Sequence, residues 1–441
     1  MHSRSKIDMT TGSIMKAVIL FALPLCFGNV LQQLYSTVDT LIIGNFCGSI
    51  ALAAVGTSSQ PVEIFMGVFM GIGNGVSILI AMYTGKKSEY DQMRVVTSAI
   101  TFIYITAIPL TLLGILLTPG ILTLMQVPSD TMALATLYTR IVFLGSLGSM
   151  GYNMNAGILR GIGDSTASLI FLLISSVINI VLDYLFVAIL GMDVGGVALA
   201  TIIAMFFSWI SSILYIRRKY PELDFTFFPR VYDARTLTEI LKIGVPLGLN
   251  NSIYCIGHVL LQAVINAQGS VFMAGCAIAT KINALATMAV NGFSASASTF
   301  AGQNFGAGTF DRLRKGAYRI TFFNGLFAMV GGALCTIFGA QLSGLFNSDP
   351  AVIAMSVRYI NVVLPFYWCF AVLNTILNIA NGVGAVRYST VSNLLMLWAI
   401  RIPTSYLIAF FFDGTYCMAG ISVSFVCGMI TMLCFFRSKR W

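Results

Sequence analysis

Residues 17–44 read AVILFALPLCFGNVLQQLYSTVDTLIIG, and the only charged residue in the stretch is Asp39. At about 1.5 Å per residue, a helix of this length reaches roughly 40 Å, longer than the hydrocarbon core of about 30 Å that a bilayer presents. A strand of a membrane barrel needs only about ten residues, so the length selects a helix. The rest of the chain repeats the pattern: 57% of its 441 residues are hydrophobic, 9% are charged, and the mean hydropathy is +0.88. An ordinary soluble domain carries about 25% charged residues, so this chain has too little polar surface to face water on all sides. In lipid every backbone N–H and C=O must be satisfied internally, and a bundle of helices does so.

The net charge of +9 is confined to short clusters between apolar runs, which argues for membrane orientation rather than for nucleic acid. The nine cysteines are scattered, mostly within apolar runs, without a CxxC or zinc spacing, and read as small packing residues. The opening MHSRSKIDMTTGSIMK is followed by a long apolar stretch without a convincing small-residue cleavage site, so the first helix is expected to be retained.

Twelve spans are expected, at 17–44, 50–84, 94–117, 131–156, 166–190, 194–216, 238–266, 272–302, 316–340, 352–380, 387–411 and 416–436. An even count puts both termini on one side. One set of loops, with the termini, holds 21 of the 25 Lys and Arg residues, including Arg4, Lys86, Lys87, Arg217, Arg218, Lys219, Arg230, Arg312, Arg314, Lys315, Lys439 and Arg440. The opposite loops hold none and carry Asp130, Asp193, Asp349 and Asp413. This asymmetry predicts cytoplasmic N- and C-termini.

The halves align with each other. Pro24 in LFALPLCFGN matches Pro246 in LKIGVPLGLN, YDQMRVVTSAITF (90–102) matches FDRLRKGAYRITF (310–322), and ILRGIG (158–163) matches IANGVG (379–384). The offsets are 222, 220 and 221 residues, so one ancestral unit is repeated. The fold class is therefore all-α integral membrane protein, two pseudo-symmetric six-helix lobes: 1–216 as the N-lobe, 217–237 as a cytoplasmic linker and 238–441 as the C-lobe. Six spans per half give parallel repeats, an arrangement in which transporters place a cavity between lobes and alternate access to it.

Ionisable residues within spans are expensive and by default functional. The acidic ones are Asp39, Glu63 and Asp183; the basic ones are Arg140, Lys281, Arg358 and Arg401, with His258 also inside a span. Counted from the outer span ends, Asp39, Asp183 and Thr201 fall at about the same depth, roughly five to seven residues in. Asn179 precedes Asp183 by one helical turn and shares its face, as Ala198 does with Thr201. Two carboxylates, an amide oxygen and a hydroxyl on three helices suit a hard monovalent cation, or a proton held between paired carboxylates. Hydrogen-bonded helix contacts are the plainer reading of Asn179 and Asp183. At the repeat offsets Asp39, Asn179 and Asp183 correspond to Leu261, Ile400 and Thr404, so this chemistry is lodged in one lobe.

Glu63 follows Pro61 and is a candidate for lining the cavity, as are Gln33 and Tyr254. Lys281 and Arg401 are candidates for pairing with Glu63 or Asp39, or for holding an anionic group of a substrate. His258 is a candidate proton relay. Arg140 and Arg358 lie near outer span ends, where their side chains can snorkel to water.

The sequence resembles the multidrug and toxic compound extrusion (MATE) family of cation-coupled antiporters, of the bacterial type. The resemblance runs over the whole chain and rests on ALPLCFGNVLQQLYSTVDTLIIGNFCGSIALAAVG (22–56), LRGIGDST (159–166), NIVLDYLF (179–186) and GVALAT (196–201). It implies two six-helix lobes and export driven by Na⁺ or H⁺. The family's N-lobe cation site maps onto Asp39, Asn179, Asp183 and Thr201, with a backbone carbonyl at Ala198, and these would be metal ligands if Na⁺ is the coupling ion. Acidic cation ligands that some members carry on the seventh and tenth helices are missing here, where the seventh span has Asn250, Asn251 and Tyr254.

The function expected is that of a secondary-active antiporter in the plasma membrane, exporting a small amphipathic drug or metabolite in exchange for H⁺ or Na⁺. Its surroundings are the lipid bilayer, with no nucleic acid partner, no cofactor beyond the coupling ion, and a monomeric state. The alternative is a flippase for a lipid-linked precursor or other amphiphile. An enzyme is not expected: no HExxH, GxSxG, P-loop or paired His/Cys cluster occurs.

Overall fold

A computed structural model of the chain describes residues 6–226 and 233–438; of the basic residues used above for orientation, Arg4, Arg230, Lys439 and Arg440 lie outside the described residues. Every regular element among the described residues is helical. In chain order the long helices are α1 (Ile14–Cys47), α2 (Ile50–Lys86), α3 (Glu89–Leu124), α4 (Ser129–Leu144 with Ser146–Ile162), α5 (Ser165–Ile189) and α6 (Asp193–Lys219). They continue as α7 (Ala234–Asn266), α8 (Ser270–Gly306), α9 (Phe310–Ile337), α10 (Pro350–Gly382), α11 (Val386–Phe411) and α12 (Gly414–Ser438).

Ten of these are by themselves long and apolar enough to cross a membrane, and α4 makes eleven when its two pieces, bent by 50°, count as one span. The remaining helix, α7, has the length, 33 residues, but Asn250, Asn251, His258 and Gln262 interrupt its apolar run. The twelve expected spans are thus twelve helices of unequal apolarity. The protein is a multi-pass membrane protein.

The bend in α4 falls at Gly145, where a Cβ would lie 2.2 Å from Cγ1 of Ile202 on α6. Its repeat mate α10 is interrupted at the corresponding place by a 3-10 turn, Leu364–Phe366. Three helices also loosen into a π-helical stretch: α1 at Ile43–Cys47, α5 at Tyr184–Ile189 and α11 at Met396–Arg401. Such stretches are uncommon and concentrate at functional positions.

Charges at helix ends follow the backbone dipole. Lys86 ends α2, Arg217, Arg218 and Lys219 end α6, and Glu89 and Asp91 open α3 behind the capping Ser88. Asp233 caps α7: its carboxylate accepts from the Thr236 hydroxyl and backbone and pairs with Arg94, and these contacts, led by the Thr236 hydroxyl, hold its carboxyl down at about 2. Asp164 caps α5 through Ala167 N–H and also accepts from Tyr215 Oη at 2.8 Å, Tyr220 Oη at 2.7 Å and Lys219 Nζ at 3.0 Å. That carboxylate is wholly buried.

The helices form two compact units. One holds Met1–Ile7 with Phe27–Ser252, the other Asp8–Cys26 with Ile253–Trp441. In the first, α2 packs on α3 and on both pieces of α4, and α6 packs on α5 and α4. In the second, α8 packs on α9 and α10, and α12 on α10 and α11. Both divisions fall inside helices, because α1 and α7 each give one half to either unit. The first half of α7 lies so close to α2 that a Cβ on Gly71 would sit 2.1 Å from the Gly248 nitrogen. At the repeat-related place in the other unit, a Cβ on Gly292 of α8 would sit 2.3 Å from Sγ of Cys26 on α1. Ahead of α1, Arg312 clamps the backbone, donating to the carbonyls of Met9 at 3.1 Å, Thr11 at 2.7 Å and Gly12 at 2.8 Å.

Candidate functional site

Within the first unit, α1, α5 and α6 bring the predicted cation residues together. Asp39 lies four residues before the π-helical end of α1, and Asp183 is the last α-helical residue before the π-helical end of α5. Asn179, one turn before Asp183, donates from Nδ2 to Thr201 Oγ1 on α6 at 3.4 Å, and the Thr201 hydroxyl donates to the Val197 carbonyl at 3.1 Å. Asp39 and Asp183 lie close enough to share a hydrogen bond when one of them carries a proton. Ala198 is buried in α6, three residues before Thr201.

Asp183 is 0% exposed and Asn179 is 3% exposed. Four of their buried oxygens with Asp39 have no protein donor: Asp39 Oδ1, Asn179 Oδ1, and both Oδ1 and Oδ2 of Asp183. Buried acceptors are nearly always satisfied in folded proteins, so four together, two of them on one carboxylate, can receive a proton, a cation or a water. All four are hard oxygen donors, the set that fits H⁺ or a small alkali cation and not a soft metal. Beside them is a cavity of about 10 Å³ lined by Tyr35, Ser175, Ser176, Asn179, Thr201 and Ala204, among others. Room of that size holds about one water molecule.

Two aromatic residues join the group that sequence reasoning did not select. Tyr35 on α1 and Tyr138 on α4 both lie within electrostatic reach of Asp39 and Asp183. Tyr35 stands four residues before Asp39, a same-face spacing that was readable. Nothing in the spacing of α4 pointed to Tyr138.

The other candidates are dispersed. Glu63 and Gln33 are exposed, with Glu63 in electrostatic reach of Tyr35. In the second unit Lys281 and His258 are exposed, whereas Arg401 is buried and donates to Tyr254 Oη and Ser424 Oγ. Among the described residues of the second unit, neither Lys281 nor Arg401 has a carboxylate within ion-pair distance. Arg358 is held at its helix end by Asp413 at 3.3 Å and by Thr415, and Arg140 donates to the Ile115 carbonyl at 3.4 Å, both local contacts.

Compared with known proteins, the chain matches the family model MatE twice, over residues 24–185 and 246–407. The chain belongs to the MatE family. The two matched stretches begin at Pro24 and Pro246, the pair that aligns the repeats, so each half of this MatE chain carries one copy of the family unit. Among curated relatives, the probable multidrug resistance protein YpnP of Bacillus subtilis is 28% identical over 98% of this chain and 97% of its own length. The multidrug export protein MepA of Staphylococcus aureus is 23% identical over 95% of this chain and 93% of its own. A multidrug resistance MATE family transporter of the MOP superfamily, solved in an outward-facing conformation, superposes with a TM-score of 0.92 at 20% identity, covering 99% of this chain and 98% of that one. That likeness establishes the two-lobed MATE fold for this chain.

Proposed function

We propose that this MatE protein is a secondary-active antiporter that exports small amphipathic compounds in exchange for H⁺ or Na⁺. The observation that carries the reading is the group of four donorless buried oxygens on Asp39, Asn179 and Asp183, beside Thr201. Two carboxylates at hydrogen-bond distance repel one another unless a positive ion lies between them, so the site has one stable form with the ion and a strained form without it. An ion arriving from outside neutralises the pair, which allows α1 to bend near Pro24 or Gly28 and the substrate space to close. Release of the ion inward restores the repulsion and reopens it. Ion and substrate then oppose each other through one conformational equilibrium, which is what coupling requires.

The names of the relatives support a drug-like substrate range for this chain. The Lys and Arg asymmetry supports a plasma-membrane protein with both termini in the cytoplasm. The cation site belongs to the lobe 1–216, with 217–237 as the linker to 238–441, and the working unit is a monomer.

Uptake of a fluorescent dye into proteoliposomes, under ΔpH and ΔpNa imposed separately, tests the proposal. Dye movement should follow one of the two gradients, and Asp39→Asn should abolish it while leaving insertion and folding intact. Full gradient-driven transport by Asp39→Asn would refute the assignment.

A further inference from the structure

Among the described residues of the second unit, one buried positive charge has no carboxylate within ion-pair distance. Arg401 ends the π-helical stretch of α11 and is 6% exposed. Its Nε donates to Ser424 Oγ on α12 at 3.0 Å, and Nη1 donates to Tyr254 Oη on α7 at 2.9 Å. The guanidinium carbon lies 5.8 Å from the Tyr254 ring centre and 5.2 Å from that of Phe425. Close packing of Gly257 against Leu397 fixes α7 on α11 one turn away. Tyr254 is further braced by His258, with ring centres 4.7 Å apart.

Of the five guanidinium N–H groups, two are committed, one on Nε and one on Nη1. The other three sit on the outer fork. Nη2 has no hydrogen bond among the described residues and is not one of their fully buried, unpartnered atoms, so it keeps a small exposed edge. Two hydroxyls and two ring faces orient the guanidinium but do not neutralise it. A planar fork, held rigid, open at its outer edge and lacking a counter-charge, is the geometry that accepts a carboxylate or phosphate through two parallel bonds. The aromatic wall beside it suits an apolar body attached to that anion.

We propose that Arg401 forms an oxyanion-recognition site, which takes a carboxylate or phosphate group borne on an apolar body. This rests on the exporter reading and narrows its substrate class to include anionic and zwitterionic amphiphiles. The oxyanion can come from an exported acid or from the headgroup of an anionic lipid.

The matched probes are rhodamine 6G, a cationic ester, and rhodamine 19, the same dye with a free carboxylate. Binding to the purified full chain in dodecyl maltoside is followed by fluorescence polarisation, without any ion gradient. Arg401→Gln should weaken rhodamine 19 by roughly tenfold to a hundredfold, the range of charge-assisted hydrogen bonds, and leave rhodamine 6G within about twofold. Arg401→Lys, which keeps the charge without the fork, should fall between, and guards against a Gln variant that fails to fold. Titration with short-chain phosphatidylglycerol separates the sources: displacement of rhodamine 19 from the wild type, absent in Arg401→Gln, identifies a headgroup phosphate as a ligand of the site. No displacement leaves the exported acid as its ligand. Equal effects of both substitutions on the two dyes, or none, overturn the proposal. Because the measurement needs no gradient, that failure is distinct from a failure of gradient-driven export.

Discussion

Replacing Asp183 with Asn should move stability and cation binding in opposite senses. In the wild type without its ion, two carboxylates stand within hydrogen-bond reach, and three of their four oxygens lack a donor. Two unit charges about 4 Å apart at an effective dielectric of about 20 repel by roughly 4 kcal/mol. The substitution removes that repulsion from the ion-free protein, which should become more stable by about 2–4 kcal/mol. It equally removes one attraction for the bound ion, so cation affinity should fall by roughly thirtyfold to a thousandfold. The assay is thermal unfolding in neutral detergent with Na⁺ titrated at fixed pH, then with pH lowered at fixed Na⁺. For the wild type one of these ligands should raise Tm, by the equivalent of about 2.7 kcal/mol at a hundred times its Kd. Asp183→Asn should begin from a higher Tm and respond little to either. A lower starting Tm with an undiminished cation response would refute the reasoning, since it is the outcome for an Asp183 that only ties helices together.

Gly71→Val should prevent normal assembly, because even a Cβ there falls 2.1 Å from the Gly248 backbone, whereas Gly331→Ala, with nothing within 4 Å of its Cβ, should be neutral or stabilising by about 0.5–1 kcal/mol; fluorescence-detected gel filtration and melting separate the two. Asp164→Asn should lower stability by about 3 kcal/mol, since it leaves Lys219 and two tyrosine hydroxyls without the buried carboxylate they share. A melting curve within half a degree of wild type would contradict that.

Helix number and the repeat were legible because a bilayer demands long apolar runs and because duplication leaves matched prolines. The juxtaposition of Asp39, Asn179, Asp183 and Thr201 followed from depth and helical spacing, which act within single helices. What depends on which helix faces which was not legible. Tyr138 reaches the acidic pair through α4 packing, and Arg401 meets Tyr254 and Ser424 instead of a carboxylate. The kink at Gly145 and the π-helical endings of α1 and α5 likewise arise from packing between helices and leave no periodic trace in the sequence. The unequal apolarity of α7 was written in Asn250 and Asn251, yet its length alone suggested an ordinary span.

The shared custody of α1 has a consequence for biosynthesis. Cys26 meets its partner surface on α8 only after Gly292 has been made, and at roughly 5–20 residues per second the ribosome needs about 13–53 s to get there. Until then the opening half-helix is inserted but unpartnered. Cutting the gene at the central loop should therefore yield two fragments that mature only when co-expressed, each lending the other a half-helix.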